Sequence, residues 1–318
     1  MKTRYRGSML LAACGLALAL LSSHIQTPEL PPPANERLIA QSETAAVYAG
    51  GNPPDGGNAV RFSWEELYRG LLLCVSRDHP LPRQLPAQQS RDVRSLVGLY
   101  VPAAEHVALS EETIYALCDL VRDNPLVETW IMAGMRSAME QASLQQRAFE
   151  SYRASMPVAQ ALIQAERDVP DSGQDEHQLA TAFDVRLNGL HAWSAADPMA
   201  RTKDGEWLLR NAWKYGFIRR YPPEKADVTG VENESMHWRY VGRAHAAAMA
   251  LSGLCLEEYL ALLHEAGALR VLGAEGAEAW ILCRPCDAAG AIFDIPAGWR
   301  AEVSADNLGY AVCVLMPD

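Results

Sequence analysis

The sequence predicts an α+β fold, in which a small, mostly antiparallel sheet has helices packed around it and is followed by a small C-terminal β-rich extension. Short β-compatible segments alternate with alanine-rich stretches whose apolar residues recur at the helical period, and residues 267–318 change to strand-like patterns. The hydrophobic fraction is 49% and the charged fraction is 21% of 318 residues, which suits a globular chain with a real core.

The N-terminal region indicates export ahead of the folded part. Three basic residues precede an apolar run, and this arrangement predicts a signal peptide or a membrane anchor in residues 1–25. Residues 26–60 are rich in proline and glycine, which predicts a linker. With the positive end inside, the rest of the chain is expected outside the cytoplasm, either secreted or anchored to the outer face of the membrane.

Helices and strands are predicted in residues 61–266, which form the main domain. Strand-like segments cover residues 71–75, 129–133, 181–187 and 237–241. Helical periodicity covers residues 110–121, 138–151, 157–167, 207–215, 244–251 and 256–264. Ser110 is expected to cap the first of these helices, and Gly216 to end the fourth. The extension over residues 267–318 has strands near 279–283 and 310–316, and it is predicted to be dispensable for chemistry.

The charge balance excludes one class of partner. The formal net charge is −11 and the isoelectric point is about 5.2. Binding to nucleic acid requires clustered lysine and arginine to neutralise phosphates, so no nucleic-acid partner is expected. A small peptide substrate is compatible with an acidic chain, because the local charges of the site decide its recognition.

Two histidines and two acids form a candidate chemical constellation. His177 and Asp184 lie seven residues apart, and Glu234 precedes His237 by three. A catalytic zinc ion takes three nitrogen or oxygen ligands and keeps one position open for water, while a carboxylate that is not a ligand takes the proton of that water. From spacing alone, a surface ion pair and a strand-end cap remain open as alternatives.

The runs around these residues resemble VanY-type D-alanyl-D-alanine carboxypeptidases. The resemblance covers roughly residues 68–265, in order and with fitting gaps. The similar segments are 171–184 (S-x-H-x-x-G-x-A-x-D in the family), 234–242 (E-x-W-H-x-R-Y-V-G), 207–222 (W-L-x-x-N-A-x-K-Y-G-F-I-x-R-Y-P), 134–141 (S-G-Y-R-S-x-x-x-Q) and 253–260.

The resemblance implies roles for individual residues. It implies that His177, Asp184 and His237 hold one zinc ion per chain. It implies that Glu234 is the general base and then the acid, and that Arg136 stabilises the oxyanion, since a guanidinium is a permanently charged, rigid donor. Three further residues are expected to line the substrate pocket: Gln141, Asp175 and Tyr240.

The implied reaction is removal of the C-terminal D-alanine from a peptidoglycan stem peptide, with membrane anchoring through the N-terminal segment as a further possibility. Two alternatives stay open: an L,D-carboxypeptidase acting on tetrapeptide stems, and an inactive cell-wall-binding protein of the same fold. The chain departs from the family pattern at Asp175 in place of serine, Ala180 in place of glycine, Met135 in place of tyrosine and Met236 in place of tryptophan. No expected ligand or catalytic residue is lost, so activity is expected while substrate choice is left open.

Overall fold

The computed structural model describes residues 35–95, 101–124, 126, 128–187, 197–232, 234–273 and 277–318. The predicted signal peptide or anchor over residues 1–25 lies outside these residues. Among the helices that are described, none is by itself long and apolar enough to cross a membrane. One pair, Arg243–Ser252 with Leu256–Ala266, meets the length and composition requirements together, with a bend of 98° between its two helices.

Five of the six predicted helices begin and end within about two residues of the observed bounds, whereas the one predicted over 207–215 is an α-helix over Lys203–Asn211 followed by a 3₁₀ turn, Ala212–Tyr215. The short helices Trp64–Leu67 and Ala226–Thr229 were not predicted. The helices are α1 (Trp64–Leu67), α2 (Glu111–Asp123), α3 (Ala138–Arg153), α4 (Val158–Asp168), α5 (Lys203–Asn211), α6 (Ala226–Thr229), α7 (Arg243–Ser252) and α8 (Leu256–Ala266). The Ser110 side chain accepts a hydrogen bond from the backbone N–H of Thr113, which confirms the predicted N-cap of α2. Gly216 ends the turn after α5 with a φ of 90°, a conformation that favours glycine.

The strands fall into separate sheets. They are β1 (Glu36–Gln41), β2 (Ala46–Gly50), β3 (Gly57–Phe62), β4 (Arg91–Asp92), β5 (Ala108–Leu109), β6 (Thr129–Ala133), β7 (Ala182–Leu187), β8 (Phe217–Arg219), β9 (His237–Tyr240), β10 (Ala268–Leu272), β11 (Glu278–Pro285), β12 (Ala291–Pro296), β13 (Trp299–Ala305) and β14 (Tyr310–Pro317). The pair β4 and β5 and the pair β3 and β12 each form a two-stranded sheet.

A four-stranded antiparallel sheet in the order β6-β7-β9-β8 is the centre of the α+β fold. Side chains alternate between the two faces of a strand, so neighbouring residues of β7 and β9 point in opposite directions. One face is apolar: Phe183, Val185 and Trp238 pack there against helices such as α2. The other face carries Asp184 and His237. The predicted small antiparallel sheet with surrounding helices is therefore confirmed.

A second sheet, in the order β1-β2-β10-β11-β14-β13, joins the two ends of the described chain. Its C-terminal strands confirm that residues 267–318 are rich in β-structure. The prediction of a linker over residues 26–60 is wrong from Glu36 onward, because β2 pairs with β10 in a register that places Ala49 opposite Leu269. Composition alone did not reveal these strands, since their partner lies more than 200 residues away along the chain.

The C-terminal extension shares its core with the main domain. Helix α8 contributes Tyr259 and Leu263 to one apolar cluster with Ile281 of β11 and Val312 of β14. Residues Pro33–Asp318 form one compact unit, so the predicted boundary between 266 and 267 does not separate two independently packed parts. Removal of residues 267–318 would expose part of this core, and the dispensability of the extension for chemistry stays a prediction.

Residues 71–75 do not form the predicted strand. The segment is apolar and buried, but its backbone pairs with the C-terminal hairpin at single points. The N–H of Leu72 donates to the Ser304 hydroxyl at 2.8 Å, and the N–H of Cys74 donates to the Asp306 carbonyl at 2.9 Å. A short apolar run has the same composition whether it is a core strand or a buried loop, which explains the wrong prediction.

Candidate metal centre

Strands β7 and β9 place two of the predicted metal ligands side by side. Their antiparallel register pairs Asp184 directly with His237, so both side chains leave the sheet on the same face. Nδ1 of His237 lies 2.9 Å from Oδ1 of Asp184. The sequence predicted both residues, and the pairing of the strands brings them together.

The third predicted ligand comes from a short 3₁₀ helix, Glu176–Leu179. Asp175 caps this helix, and its side chain accepts from the backbone N–H of His177 at 2.8 Å. The helix ends at Ala180, whose φ of 59° lies in the left-handed region. The tight turn directs Nε2 of His177 toward the sheet, where it lies 3.1 Å from Oδ2 of Asp184.

The three groups form a compact cluster. One ligand atom from each of His177, Asp184 and His237 lies within 4.8 Å of the others. The two imidazoles are almost fully buried, while the Asp184 side chain is 34% exposed, so the cluster opens toward solvent on the Asp184 side. Nδ1 of His177 lies 2.6 Å from the Gly134 carbonyl oxygen, and donation to that oxygen leaves Nε2 free to act as a ligand.

Gly134 is required at this point for a steric reason. A Cβ atom added there would lie 2.4 Å from the Ala108 carbonyl oxygen, which real Cβ atoms do not approach so closely. The absence of a side chain at Gly134 therefore allows β5 to pass close to the loop that supports His177.

The electrostatics of the cluster favour a positive charge. Burial alone would raise the pKa of Asp184, but its hydrogen bonds with His177 and His237 hold that pKa well below its ordinary value. Burial would lower the pKa of His237, whereas its contacts with Asp184 and Glu176 raise that pKa to about 10. The carboxylates therefore attract a cation to the space between the ligand atoms.

Arg136 lies directly beside the cluster. Its guanidinium donates to Oδ2 of Asp175 at 3.0 Å and to Oδ2 of Asp184 at 3.2 Å. Its backbone N–H donates to the His177 carbonyl oxygen at 3.1 Å. The next residue, Ser137, caps α3 in a capping box with Glu140, which fixes the start of the helix and hence the position of Arg136.

Glu234 lies near enough to the cluster for His237, Asp184 and His177 to act on its charge. The residue is exposed, and its carbonyl oxygen accepts from the His237 N–H at 3.0 Å in the turn that leads into β9. Although the residue as a whole is exposed, the protein around its carboxyl desolvates that group and raises its pKa above the ordinary value; His237 opposes this shift, and Asp184 adds to it. A carboxyl beside a candidate cation site, and not itself one of the three clustered ligands, is suited to transfer protons to and from a bound water.

Two of the predicted pocket residues have other roles. Tyr240 lies on the opposite face of the sheet from His237, where its ring packs against Phe217 and its hydroxyl donates to Glu112 at 3.1 Å. The prediction that Tyr240 lines the pocket is therefore wrong, because it lies an odd number of residues along the strand from His237. Gln141 is fully buried, and its amide donates to the Pro170 carbonyl oxygen at 2.7 Å. Its side-chain oxygen lies 3.5 Å from a nitrogen of Arg136, so Gln141 supports Arg136 from behind.

Sequence reasoning missed two neighbours of His237. Glu176 is buried, and its Oε2 lies 3.5 Å from Nε2 of His237. The Tyr221 ring lies 5.3 Å from the His237 ring, centroid to centroid. Both residues belong to the segments that resemble the VanY family. Glu176 directly precedes His177, and Tyr221 directly follows Arg220; this adjacency was the signal in the sequence that could have identified them.

The residues present fit a metal ion. Two imidazole nitrogens and one carboxylate oxygen converge, and the orientation of each ring directs one of its nitrogens toward the others. The Asp184 side of the cluster stays open to solvent. Zinc in catalytic sites takes this number and type of protein ligands. An α+β domain with such a cluster, and with a further acid beside it, has the arrangement of a mononuclear metallohydrolase.

Comparison with known proteins assigns the family. The pattern of VanY, D-alanyl-D-alanine carboxypeptidase, matches residues 109–243. The chain is 30% identical over 242 residues to a D-alanyl-D-alanine carboxypeptidase of Enterococcus faecalis, covering 76% of this chain and 82% of the relative. It is 28% identical to one of Enterococcus faecium, over 80% of this chain and 77% of the relative. The chain therefore belongs to the VanY family of D-alanyl-D-alanine carboxypeptidases.

A solved structure supports the fold. The vancomycin-resistance D,D-dipeptidase VanXYg, in complex with a D-Ala-D-Ala phosphinate analogue, superposes with a TM-score of 0.65 at 23% identity. The match covers 82% of this chain and all of that one. At this identity the likeness concerns the architecture, and it extends well beyond the four-stranded sheet.

Proposed function

We propose that the protein is a zinc-dependent carboxypeptidase that removes the C-terminal D-alanine from peptidoglycan stem peptides ending in D-Ala-D-Ala. The observation that carries the proposal is the convergence of His177, Asp184 and His237, with Glu234 beside them, in a chain of the VanY family. One zinc ion per chain would be held by these three side chains. When bound, zinc acts as a Lewis acid and lowers the pKa of water toward about 7.

Glu234 supplies the proton transfers. Its carboxylate takes a proton from the attacking water as the bond between the water oxygen and the scissile carbonyl carbon forms. The same proton then passes to the leaving amine as the carbon–nitrogen bond breaks, so that one water is consumed and D-alanine is released. The raised pKa of Glu234 suits a group that must both accept and donate a proton.

Arg136 supplies positive charge where negative charge develops. Its guanidinium is partly exposed, beside the open Asp184 side of the cluster. A guanidinium has five N–H donors, so contacts with Asp175 and Asp184 leave donors for the carbonyl oxygen as it becomes an oxyanion.

Asp175 is the departure from the family pattern that bears on substrate choice. Its carboxylate lies 3.0 Å from Arg136 and partly neutralises the charge of that guanidinium. A substrate carboxylate close to this pair meets less net positive charge than it would meet beside serine. We expect Asp175 to weaken binding of the free C-terminal carboxylate and so to raise KM.

The proposed place of action is the cell wall, outside the cytoplasmic membrane. The basic residues and the apolar run in residues 1–25 support export or anchoring there. Fusion of residues 1–30 to a reporter that is active only outside the cytoplasm tests this part. An expressed but silent reporter contradicts it.

The main experiment incubates the purified protein with a pentapeptide stem and a tetrapeptide stem, first after treatment with a chelator and then after addition of zinc. Mass spectrometry is expected to show loss of one alanine from the pentapeptide only when zinc is present. Cleavage of the tetrapeptide alone would indicate an L,D-carboxypeptidase. Absence of cleavage by the zinc-loaded protein would indicate an inactive cell-wall-binding protein.

A further inference from the structure

The two histidines of the cluster use different nitrogens. His177 presents Nε2 to Asp184, and its Nδ1 is held by the Gly134 carbonyl oxygen. His237 presents Nδ1 to Asp184, so its Nε2 points away from the cluster into the protein. Each imidazole therefore needs a different acceptor to keep its second nitrogen protonated.

The buried carboxylate beside Nε2 of His237 is that of Glu176. Its Oε2 lies 3.5 Å from Nε2 of His237, and both atoms are buried. Within the described part of the chain, neither atom has a hydrogen-bond partner, and their separation of 3.5 Å is longer than an N–H···O hydrogen bond of good geometry. Two buried polar atoms that face each other, each without a competing partner, indicate an interaction between them.

Glu176 is held in place by buried arginines. Its Oε1 accepts from Nε of Arg220 at 2.8 Å and also from Arg239. The remaining nitrogens of Arg220 form a fork on the carboxylate of Glu257 in α8, at 3.0 and 2.6 Å. Two guanidinium groups keep Glu176 ionised and restrict its movement, and α8 anchors one of them.

We propose that Glu176 is a positioning residue, which accepts the Nε2 proton of His237 and thereby fixes the tautomer and ring orientation that present the Nδ1 lone pair to the metal ion. The proposal rests on the function proposed above only in requiring that His237 binds a metal. A carboxylate behind a ligating histidine raises the basicity of the ligand, and its loss typically weakens metal affinity by about 10- to 100-fold.

The test measures zinc affinity by competition with a chromophoric chelator in the full chain and in Glu176→Gln. The amide keeps the size of the side chain but removes the charge that attracts the Nε2 proton. We expect zinc affinity to fall by about 10- to 100-fold. The ¹H–¹⁵N spectrum of the zinc-loaded protein provides a second readout, in which the His237 Nε2–H resonance is expected to shift in the variant.

The matched control is Asp306→Asn. Asp306 is also a fully buried carboxylate that accepts from a histidine, His264, and it lies in the C-terminal hairpin, away from the cluster. This variant is expected to lose stability while keeping the zinc affinity and the His237 resonance of the parent. A fall in zinc affinity in both variants would show a general effect of destabilisation and would overturn the proposal.

Glu176→Asp is the second variant, in case Glu176→Gln does not fold. It keeps a charge for Arg220 and Arg239 but withdraws the oxygen from His237, so weaker zinc binding is again expected. Unchanged affinity and an unchanged resonance in a folded variant overturn the proposal, whatever the activity. An unaltered chain that binds zinc but cleaves no peptide refutes the proposed function and leaves this inference standing. An unaltered chain that binds no zinc refutes both.

Discussion

The two faces of the four-stranded sheet differ in chemistry although they are built from alternate residues of the same strands. On one face, Asp184 and His237 meet buried charged groups, including Glu176 and Arg239. On the other face, Trp238 and Tyr240 belong to an apolar core. A shift of one position along β9 therefore changes a residue from a candidate ligand to a core residue, and the strand register decides which is which.

Two buried histidines, His237 and His245, have pKa values shifted in opposite directions. Contacts with two carboxylates raise the pKa of His237 to about 10 against the effect of burial. His245, on α7, is buried with its Nδ1 2.7 Å from the Tyr259 hydroxyl rather than from a carboxylate, and burial lowers its pKa to about 3. Burial alone therefore does not predict the charge of a histidine, and the groups packed around it decide the sign of the shift.

The largest expected effect concerns the charged face. Glu234→Gln should lower kcat by about 10²- to 10⁴-fold, because the amide cannot transfer the proton. Zinc content should stay near one per chain, because Glu234 is not expected to be a ligand. Turnover and metal analysis of the purified variant test both points. Tyr240→Phe, on the other face, is the control and should keep the parental kcat. Near-parental turnover of Glu234→Gln would exclude it as the base, and loss of zinc would make it a ligand.

The next effect concerns the apolar face and stability. Trp238 is 3% exposed, and Trp238→Ala should lower the free energy of unfolding by about 3–5 kcal/mol, because it leaves a cavity. Chemical denaturation measures this change, and the folded fraction should still bind zinc. Trp130→Ala, on β6, is the control. Because Trp130 is 37% exposed, its replacement should lower the free energy of unfolding much less. Equal losses in the two variants would mean that the two faces do not differ in packing.

The third effect is the dependence of stability on pH that arises from the buried His245. Because the pKa of His245 is about 3 in the folded protein and about 6.5 when unfolded, the unfolded chain binds the extra proton between these values. Stability should therefore fall as pH decreases below 6.5, by up to about 1.4 kcal/mol per pH unit. Urea titrations from pH 6.5 to 4.5 measure the slope, since most carboxylates titrate below that window. His245→Gln should have a shallower slope, and an identical slope in the two proteins would contradict the assignment.

The smallest effect concerns the turn that presents His177. Ala180 has a φ of 59°, a conformation that costs an alanine about 1–2 kcal/mol and a glycine little. Ala180→Gly should therefore raise the free energy of unfolding by up to about 1 kcal/mol, part of the gain being offset by loss of the buried methyl group. Denaturant midpoints test this. Ala182→Gly, in extended β7, is the control and should destabilise. A loss of stability in Ala180→Gly would mean that packing of the methyl group outweighs the strain.

Local patterns in the sequence determined much of the architecture. The helical period located α2 to α5, α7 and α8, and Ser110 and Gly216 marked where helices begin and end. These signals depend on hydrogen bonds and side-chain spacing within a few residues, so they can be read from a short segment. The residue types and motifs around His177, Asp184 and His237 were also sufficient to predict a metal site, since the chemistry of the donors belongs to the side chains themselves.

Contacts between distant segments were decided only by the tertiary structure. The pairing of β2 with β10, the burial of Tyr240 on the core face and the placement of Glu176 behind His237 each join residues more than 50 positions apart. Such contacts depend on strand register and on which groups compete for a buried donor, and neither is encoded in a local window. The sequence thus determined which side chains could bind a metal, while the fold decided which nitrogen of each histidine faces it and what holds the other in place.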